Sequence, residues 1–341
     1  MAVEPDAWLV DADDFPAGRA LADQLRFLVR YAILAPSSHN TQPWLFRIDA
    51  DHVLLFADRT RALPVVDPHD RELTISCGAA LHHLTTALAS FGLAATVGLL
   101  PDAADADLLA RVSVTGRQEP DGEAQQLRAA IPHRRTNRRR FDDKALPPEL
   151  FAACRATAES FGVWFQLIVG EEERLRAVDL IMAGDRAQAA DPSLRRELAA
   201  WMHPRRSRTG DGLVGYALGM GRLASYVAPH VVRTFDWGSN QAAKDEQLVD
   251  GSPALAVLGA PDDMPLSWLQ TGRALSQLLL HATAAGVSVS YFNQPNEVPE
   301  LRPQLAALTG MEGYPQMLFR MGYGPEVRPS PRRPISEVVL P

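Results

Sequence analysis

Segments of helical period alternate with short apolar runs along the 341 residues, and the alternation comes in two similar passes. In the first pass, residues 14–35 carry Leu21, Leu25, Leu28, Val29, Ala32 and Ile33 at helical spacing and stop at Pro36, which cannot continue a helix. The runs 44–48 and 52–57 flank Asp49-Ala50-Asp51 and read as a hairpin. Residues 70–91 set Leu73, Cys77, Ala80, Leu81, Leu84 and Leu88 along one side of a helix, and strands at 94–99 and 109–115 follow. In the second pass, Pro147-Pro148-Glu149 opens a helix that runs to 161. Strands occupy 163–169, 253–259, 287–292 and 316–321, with helices at 266–285 and 301–308 between them. Such an alternation folds as α/β or α+β, with helices packed on sheets. The polar loop 117–123 and a helix ending near Ile131-Pro132 divide the passes into halves 1–131 and 132–341.

Between two strands of the second pass, residues 171–250 are helical in pattern with a polar, glycine-rich interruption at 204–212, fit no strand pattern and read as an insertion. Its most apolar stretch, 213–232, is broken by Arg222, Pro229 and His230, whereas a membrane span needs about 20 mostly apolar residues. The N-terminus is acidic where a secretory signal starts basic. With 34 basic against 41 acidic side chains, the net charge of -7 argues against nucleic acid as a main partner. Two cysteines, Cys77 and Cys154, make neither a disulfide framework nor a four-cysteine metal site, so a reducing, cytoplasmic setting is expected.

Three segments concentrate polar chemistry. The run from His133 to Arg140 holds five arginines in eight residues. Guanidinium forks bind phosphate bidentately, so the run suits a phosphorylated ligand, although a solvated charge run has the same composition. Pro36-Ser37-Ser38-His39-Asn40-Thr41-Gln42-Pro43-Trp44 offers donors and acceptors suited to a polar heteroaromatic ring, or is a turn rich in turn-forming residues. Leu218-Gly219-Met220-Gly221-Arg222-Leu223-Ala224 matches a relaxed dinucleotide-loop pattern, but its flanks read helical, which favours close helix packing through small residues. The scattered histidines, His82 and His83 included, read as packing or surface groups, and no metal-ligand spacing is present.

Taken in order, these segments resemble the FMN-dependent nitroreductase family, in particular its longer Acg-like subgroup. Pro36, Ser37, Ser38, Asn40, Gln42, Pro43 and Trp44 fill a motif whose polar residues contact the flavin in that family. Arg134, Arg135, Thr136 and Arg138 fill the Arg-x-Ser-x-Arg/Lys motif that grips the FMN phosphate, with Thr for Ser, and Ser330-Pro331-Arg332-Arg333 matches a C-terminal phosphate element with its lysine lost. In ordinary members the arginine motif precedes the Pro-Ser-Ser motif, and two subunits share two FMN sites. Here it follows about a hundred residues later. The resemblance therefore implies an α+β fold of two related halves fused in one chain, each with a mixed or antiparallel sheet flanked by helices, mimicking the family homodimer.

The resemblance also implies one FMN between the halves, with Asn293 and Gln294 by the reactive edge of the ring and Arg71, Ser76 and Gly78 as weaker candidates. Residues 185–250 correspond to a lid over the flavin. The expected function is NAD(P)H-dependent two-electron reduction of nitroaromatics or quinones, with the chemistry on the flavin and no catalytic side chain. The competing expectation is a non-catalytic protein that sequesters FMN beneath a closed lid. A small-molecule electron acceptor is the expected partner, with no metal, nucleic acid or membrane, and the chain is expected to be a monomer or weak homodimer.

Overall fold

The computed structural model describes residues 7–341 apart from 205, 206, 208 and 235–237. Helix α1 (Leu21–Ala32) leads into the hairpin of β1 (Trp44–Ile48) and β2 (His52–Ala57). The long helix α2 (Arg71–Ser90), strands β3 (Leu93–Leu99) and β4 (Leu108–Arg117), and α3 (Gly122–Ala130) follow. These strands form one antiparallel sheet in the order β1-β2-β4-β3.

The chain then forms α4 (Pro148–Ser160) and β5 (Trp164–Ile168) before a helical excursion. That excursion comprises α5 (Glu171–Ala190), α6 (Pro192–Trp201), the two-residue strands β6 (Met202–His203) and β7 (Leu213–Val214), α7 (Arg222–Thr234) and α8 (Gly238–Asp250). Next come β8 (Ala254–Ala260), α9 (Pro265–Ala284), β9 (Ser288–Tyr291), α10 (Gln294–Glu297), α11 (Arg302–Thr309), β10 (Tyr314–Gly322) and α12 (Ile335–Val338). The second sheet is also antiparallel, in the order β5-β8-β10-β9. The two sheets share one topology: the strand after the long helix lies at the edge, and the last strand inserts beside it. The fold is α+β.

Alternation along β8 explains its unbroken apolar sequence. Ala254, Ala256, Leu258 and Ala260 join the core that includes Leu275, Leu278 and Leu279 of α9, while Leu255 and Val257 join Ala177, Val178 and Ile181 of α5. A strand covered on both faces has no place for a polar residue.

The long helices α2 and α9 meet through two glycines. A methyl on Gly78 would lie 2.2 Å from the Leu269 carbonyl oxygen, and one on Gly272 would lie 1.9 Å from that of Ile75. The contact is reciprocal, glycine against the carbonyl three residues before the other glycine, as a two-fold relation between the helices requires. His82 of α2 reinforces it, its Nδ1 lying 2.9 Å from Ser276 Oγ of α9.

The C-terminal tail returns to the first sheet. Val339 bridges Phe46, Leu340 N donates to the Phe46 carbonyl at 2.7 Å, and the Trp8 indole donates to the Ser330 carbonyl at 2.8 Å.

Several expectations need correction. The first helix begins at Leu21 rather than near 14, because Pro16 and Gly18 set turns after a single 3-10 turn at Ala12–Asp14. The insertion is not free of strand, since β6 and β7 pair in parallel across the polar interruption. Gly219 and Gly221 are not helix-packing residues: Gly219 takes φ +73 in a turn before α7, and nothing lies within 4 Å of a methyl on Gly221. The short helices α10 and α12 carry too few residues to show a period. Among the described residues no helix is long and apolar enough to cross a membrane.

Candidate functional site

The segment after α1 is held in a conformation that few residues adopt. His39, Asn40 and Gln42 have φ of +50, +56 and +52, a left-handed region that costs a non-glycine residue about 1–3 kcal/mol when strained. The C-terminal tail holds it there. Arg332 donates to Asn40 Oδ1 at 2.9 Å and to the Leu34 and Ala35 carbonyls at 3.1 and 3.0 Å, groups that the end of α1 leaves unpaired. Arg333 N donates to Gln42 Oε1 at 2.8 Å, and its guanidinium reaches the Gln42 carbonyl and Asp58. Asn40 and Gln42 in turn donate to the Gly212 and Gly210 carbonyls of the insertion.

The basic run is fixed from within its own half. Thr136 bridges Val289 at the start of β9, and Asn137 N donates to the Val289 carbonyl at 3.0 Å. The buried Asn137 side chain donates to Ser288 Oγ and the Pro325 carbonyl. This anchoring sets Arg134, Arg135, Thr136, Arg138 and Arg139 into the wall of a cavity of about 570 Å³, completed by Lys244, Arg328 and Arg332. Arg135 stacks over the Trp8 ring at 4.0 Å, with Arg332 at 4.6 Å from the same ring. Arg134 is buried, and its Nε and Nη1 have no hydrogen-bond partner among the described residues. A buried guanidinium with orphaned donors fits an anion with several acceptor oxygens, such as a phosphate.

A second cavity of about 560 Å³ adjoins the first, and Thr136, Arg138, Leu218 and Lys244 line both. Ser37, Ser38 and His39 enter it from the first half, Ser76 and Glu72 from α2, and Tyr291, Asn293, Gln294 and Glu297 from β9 and beyond. Leu198, Met202, Leu213, Val232 and Leu248 of the insertion line it as well. Burial lowers His39 to about 4, so its imidazole is neutral. Ser38 Oγ donates to Glu72 Oε2 at 2.5 Å.

Four carboxyls, Glu72, Asp185, Asp245 and Glu297, line this cavity beside Arg138 and Lys244, whereas the other sets six arginines and Lys244 against Glu326. Asp185 of α5 and Asp245 of α8 are bridged by Gln294, whose Nε2 reaches them at 2.9 and 3.1 Å. Burial, with the Asp245 charge added, pushes Asp185 up to about 7.

The structure brings Ser37, Ser38, Arg134, Arg135, Thr136, Arg138, Asn293, Gln294 and Arg332 onto the two cavities. Asn40, Gln42 and Arg333 line neither, and bind backbone and one another instead. Of the weaker candidates, Ser76 lines the acidic cavity, Arg71 donates to Gln316 and Glu72, and Gly78 serves the helix contact. Glu72, Asp185, Asp245 and Glu297 escape sequence reading because each is an acid on a helix with no spaced partner, the pattern of any solvated face. The adjacency of Glu72 to Arg71 was the one signal available.

A sequence model described as "Nitroreductase family" matches residues 131–323. The Mycobacterium tuberculosis protein named "Putative NAD(P)H nitroreductase Rv3131" is 35% identical over 323 residues, covering 93% of this chain and 91% of its own. The chain belongs to the nitroreductase family. A second M. tuberculosis relative, "Putative NAD(P)H nitroreductase acg", is 31% identical over 331 residues, covering 95% of this chain and 97% of its own. Among solved structures, the FMN-dependent nitroreductase NfnB from Mycobacterium smegmatis in complex with NADPH aligns over 63% of this chain and 96% of its own, at 19% identity and TM-score 0.40.

Proposed function

We propose that this nitroreductase-family chain binds one FMN across the two cavities and acts as an NAD(P)H-dependent oxidoreductase on nitroaromatics or quinones. The observation that carries the reading is the pair of adjoining cavities of opposite character, joined at Thr136 and Arg138, with the orphaned Arg134 guanidinium in the basic one. Arg134, Arg135, Thr136 and Arg138 are assigned to the phosphate and ribityl chain, and Ser37 and Ser38 to the polar edge of the ring. Arg332 closes the basic cavity while its donors hold the Pro-Ser-Ser segment. Asn293 and Gln294 lie on the wall of the ring cavity, each committed to a protein partner. Bound FMN supplies hydride chemistry between the nicotinamide and the acceptor. Residues 185–250 serve as the lid.

The two halves, each with the same strand order and joined through Gly78 and Gly272, are assigned the roles of the two subunits of a homodimer. Cys77 and Cys154 are free and buried, which suits a reducing, cytoplasmic setting.

Flavin sequestration without turnover is the second reading, favoured by the apolar cover that Leu198, Met202, Leu213, Val232 and Leu248 place on the ring cavity. Steady-state oxidation of NADH and NADPH with nitrofurazone or menadione separates the two. Turnover well above that of free FMN supports the oxidoreductase, and turnover equal to free FMN leaves sequestration.

A further inference from the structure

We propose that Glu297 is the acid that delivers a proton to the electron acceptor in the ring cavity, with Glu72 as the carboxyl that shares that proton. This role rests on the oxidoreductase reading above and adds a proton donor to it.

Glu72, on α2 of the first half, and Glu297, on α10 of the second, both line the acidic cavity and are hydrogen-bonded to each other. Two carboxyl groups bond in this way only with a proton between them. The donors around the pair are unequally divided. Glu72 receives Arg71 Nη2 at 2.9 Å, Ser38 Oγ at 2.5 Å and Asn293 Nδ2 at 3.3 Å, which together compensate a carboxylate. Glu297 receives the neutral amide of Gln188 at 2.5 Å. The shared proton therefore belongs to Glu297, and burial followed by the Glu72 charge raises that carboxyl well above the usual range.

The other charged groups of the cavity are Arg138, Asp185, Lys244 and Asp245. Arg71 lies behind Glu72, and Arg302 of the adjoining α11 is committed to Asp263. The result is a neutral carboxylic acid on the wall of a site that handles electron pairs.

The stoichiometry calls for such a group. A quinone becoming a hydroquinone, or a nitro group becoming nitroso and water, takes up two electrons and two protons. Hydride derived from NAD(P)H brings both electrons and one proton. The second proton leaves Glu297 as its O–H bond breaks and an O–H bond forms on the acceptor oxygen. The carboxylate that remains is reprotonated from solvent.

The test uses the FMN-loaded full chain, with E297Q and E297D beside it. Infrared spectra of wild-type protein at neutral pH, with and without FMN, should show the carbonyl stretch of protonated carboxylic acids, one component from Asp185 and a second that is lost in E297Q and kept in E297D. Stopped-flow reoxidation of the reduced protein by menadione should be about 100-fold slower in E297Q, the range of general acid catalysis, and partly restored in E297D. In wild type that rate should fall as pH rises through the Glu297 titration, and in E297Q this fall should vanish. Reoxidation by ferricyanide, which takes electrons without protons, should be unchanged in all three. Equal menadione rates in flavin-loaded wild type and E297Q, or a protonated-carboxyl band of undiminished intensity in E297Q, would overturn the role of Glu297 alone. A wild-type chain that takes up no flavin would overturn the oxidoreductase reading and this role with it.

Discussion

Arg332 donates a hydrogen bond to Asn40 Oδ1 at 2.9 Å across 292 positions of sequence, joining the C-terminal tail to the loop that follows α1. The two segments that resemble flavin-binding motifs thus bind each other. Asn40 and Gln42, two of the three residues of positive φ in that loop, are held by the tail, so the loop conformation and the tail form one unit.

This division of labour separates two arginines by experiment. R332A leaves the Leu34 and Ala35 carbonyls and Asn40 Oδ1 without their donor, and should cost on the order of 3 kcal/mol of folding stability, read by urea unfolding. R138A should leave stability near that of the wild type while weakening FMN retention by about 1.5–3 kcal/mol, the worth of a hydrogen bond to a charged group. Unchanged FMN content of R138A after gel filtration would reject the phosphate assignment.

The helix contact can be tested at one carbon atom. In G272A the new methyl would fall 1.9 Å from the Ile75 carbonyl oxygen and 2.9 Å from Gly78 Cα, forcing α2 and α9 apart. The expected cost is about 1–3 kcal/mol. G116A, where nothing lies within 4 Å of the methyl, should change stability by no more than about 0.5 kcal/mol.

The orphaned donors of Arg134 make stability depend on anions. If phosphate or FMN binds the folded chain alone, thermal midpoints should rise with either, by an amount equivalent to about 2.7 kcal/mol at a hundredfold excess over the dissociation constant. R134M should lose most of the response to phosphate. A midpoint indifferent to both ligands in the wild type would remove the anion site.

Acidity should stabilise the protein through Asp185. Its carboxyl stands at about 7 in the folded chain against an ordinary 3.8, so the folded state keeps a proton that the unfolded chain has released. That contribution is complete below the ordinary value and drains away as pH rises through about 7. Asp67, raised to about 6 by burial and by Glu72, acts in the same direction. His39 and His82, lowered to about 4 and 3 by burial, act oppositely, with stability lost as pH falls below the ordinary 6.5. The histidine contributions still grow up to about pH 7.5, so the Asp185 contribution is read as a difference: the denaturant midpoint of wild type minus that of D185N, whose amide needs no proton to donate to Asp245, should fall as pH rises from about 4 to 7 and level off above.

Most of the fold was legible because its elements are long or strongly patterned. The hairpin 44–48/52–57, the long helices α2 and α9 and the strand 254–260 announce themselves through period or continuous apolarity. The arginine run was legible as a phosphate candidate because no core accepts five guanidinium groups. Asn40, Gln42 and Arg333 show the limit. Their residue types are those of ligand contacts, yet the same donors and acceptors serve to lock a strained loop, and only the fold shows which way they point. The carboxyls Glu72, Asp185, Asp245 and Glu297 were invisible for the converse reason. Each becomes distinctive only when a second acid, 60 or more positions away, arrives beside it.

Flavin counting on the purified chain bears on the whole account: a visible absorbance scan, with the released chromophore identified and its amount divided by chain concentration at a known oligomeric state. One FMN per monomeric chain is the expected result, held across the basic cavity and the ring cavity that adjoins it. A chain that stays colourless after incubation with FMN, or that holds two flavins, would mean that the paired cavities of this fold serve another ligand or another arrangement of sites.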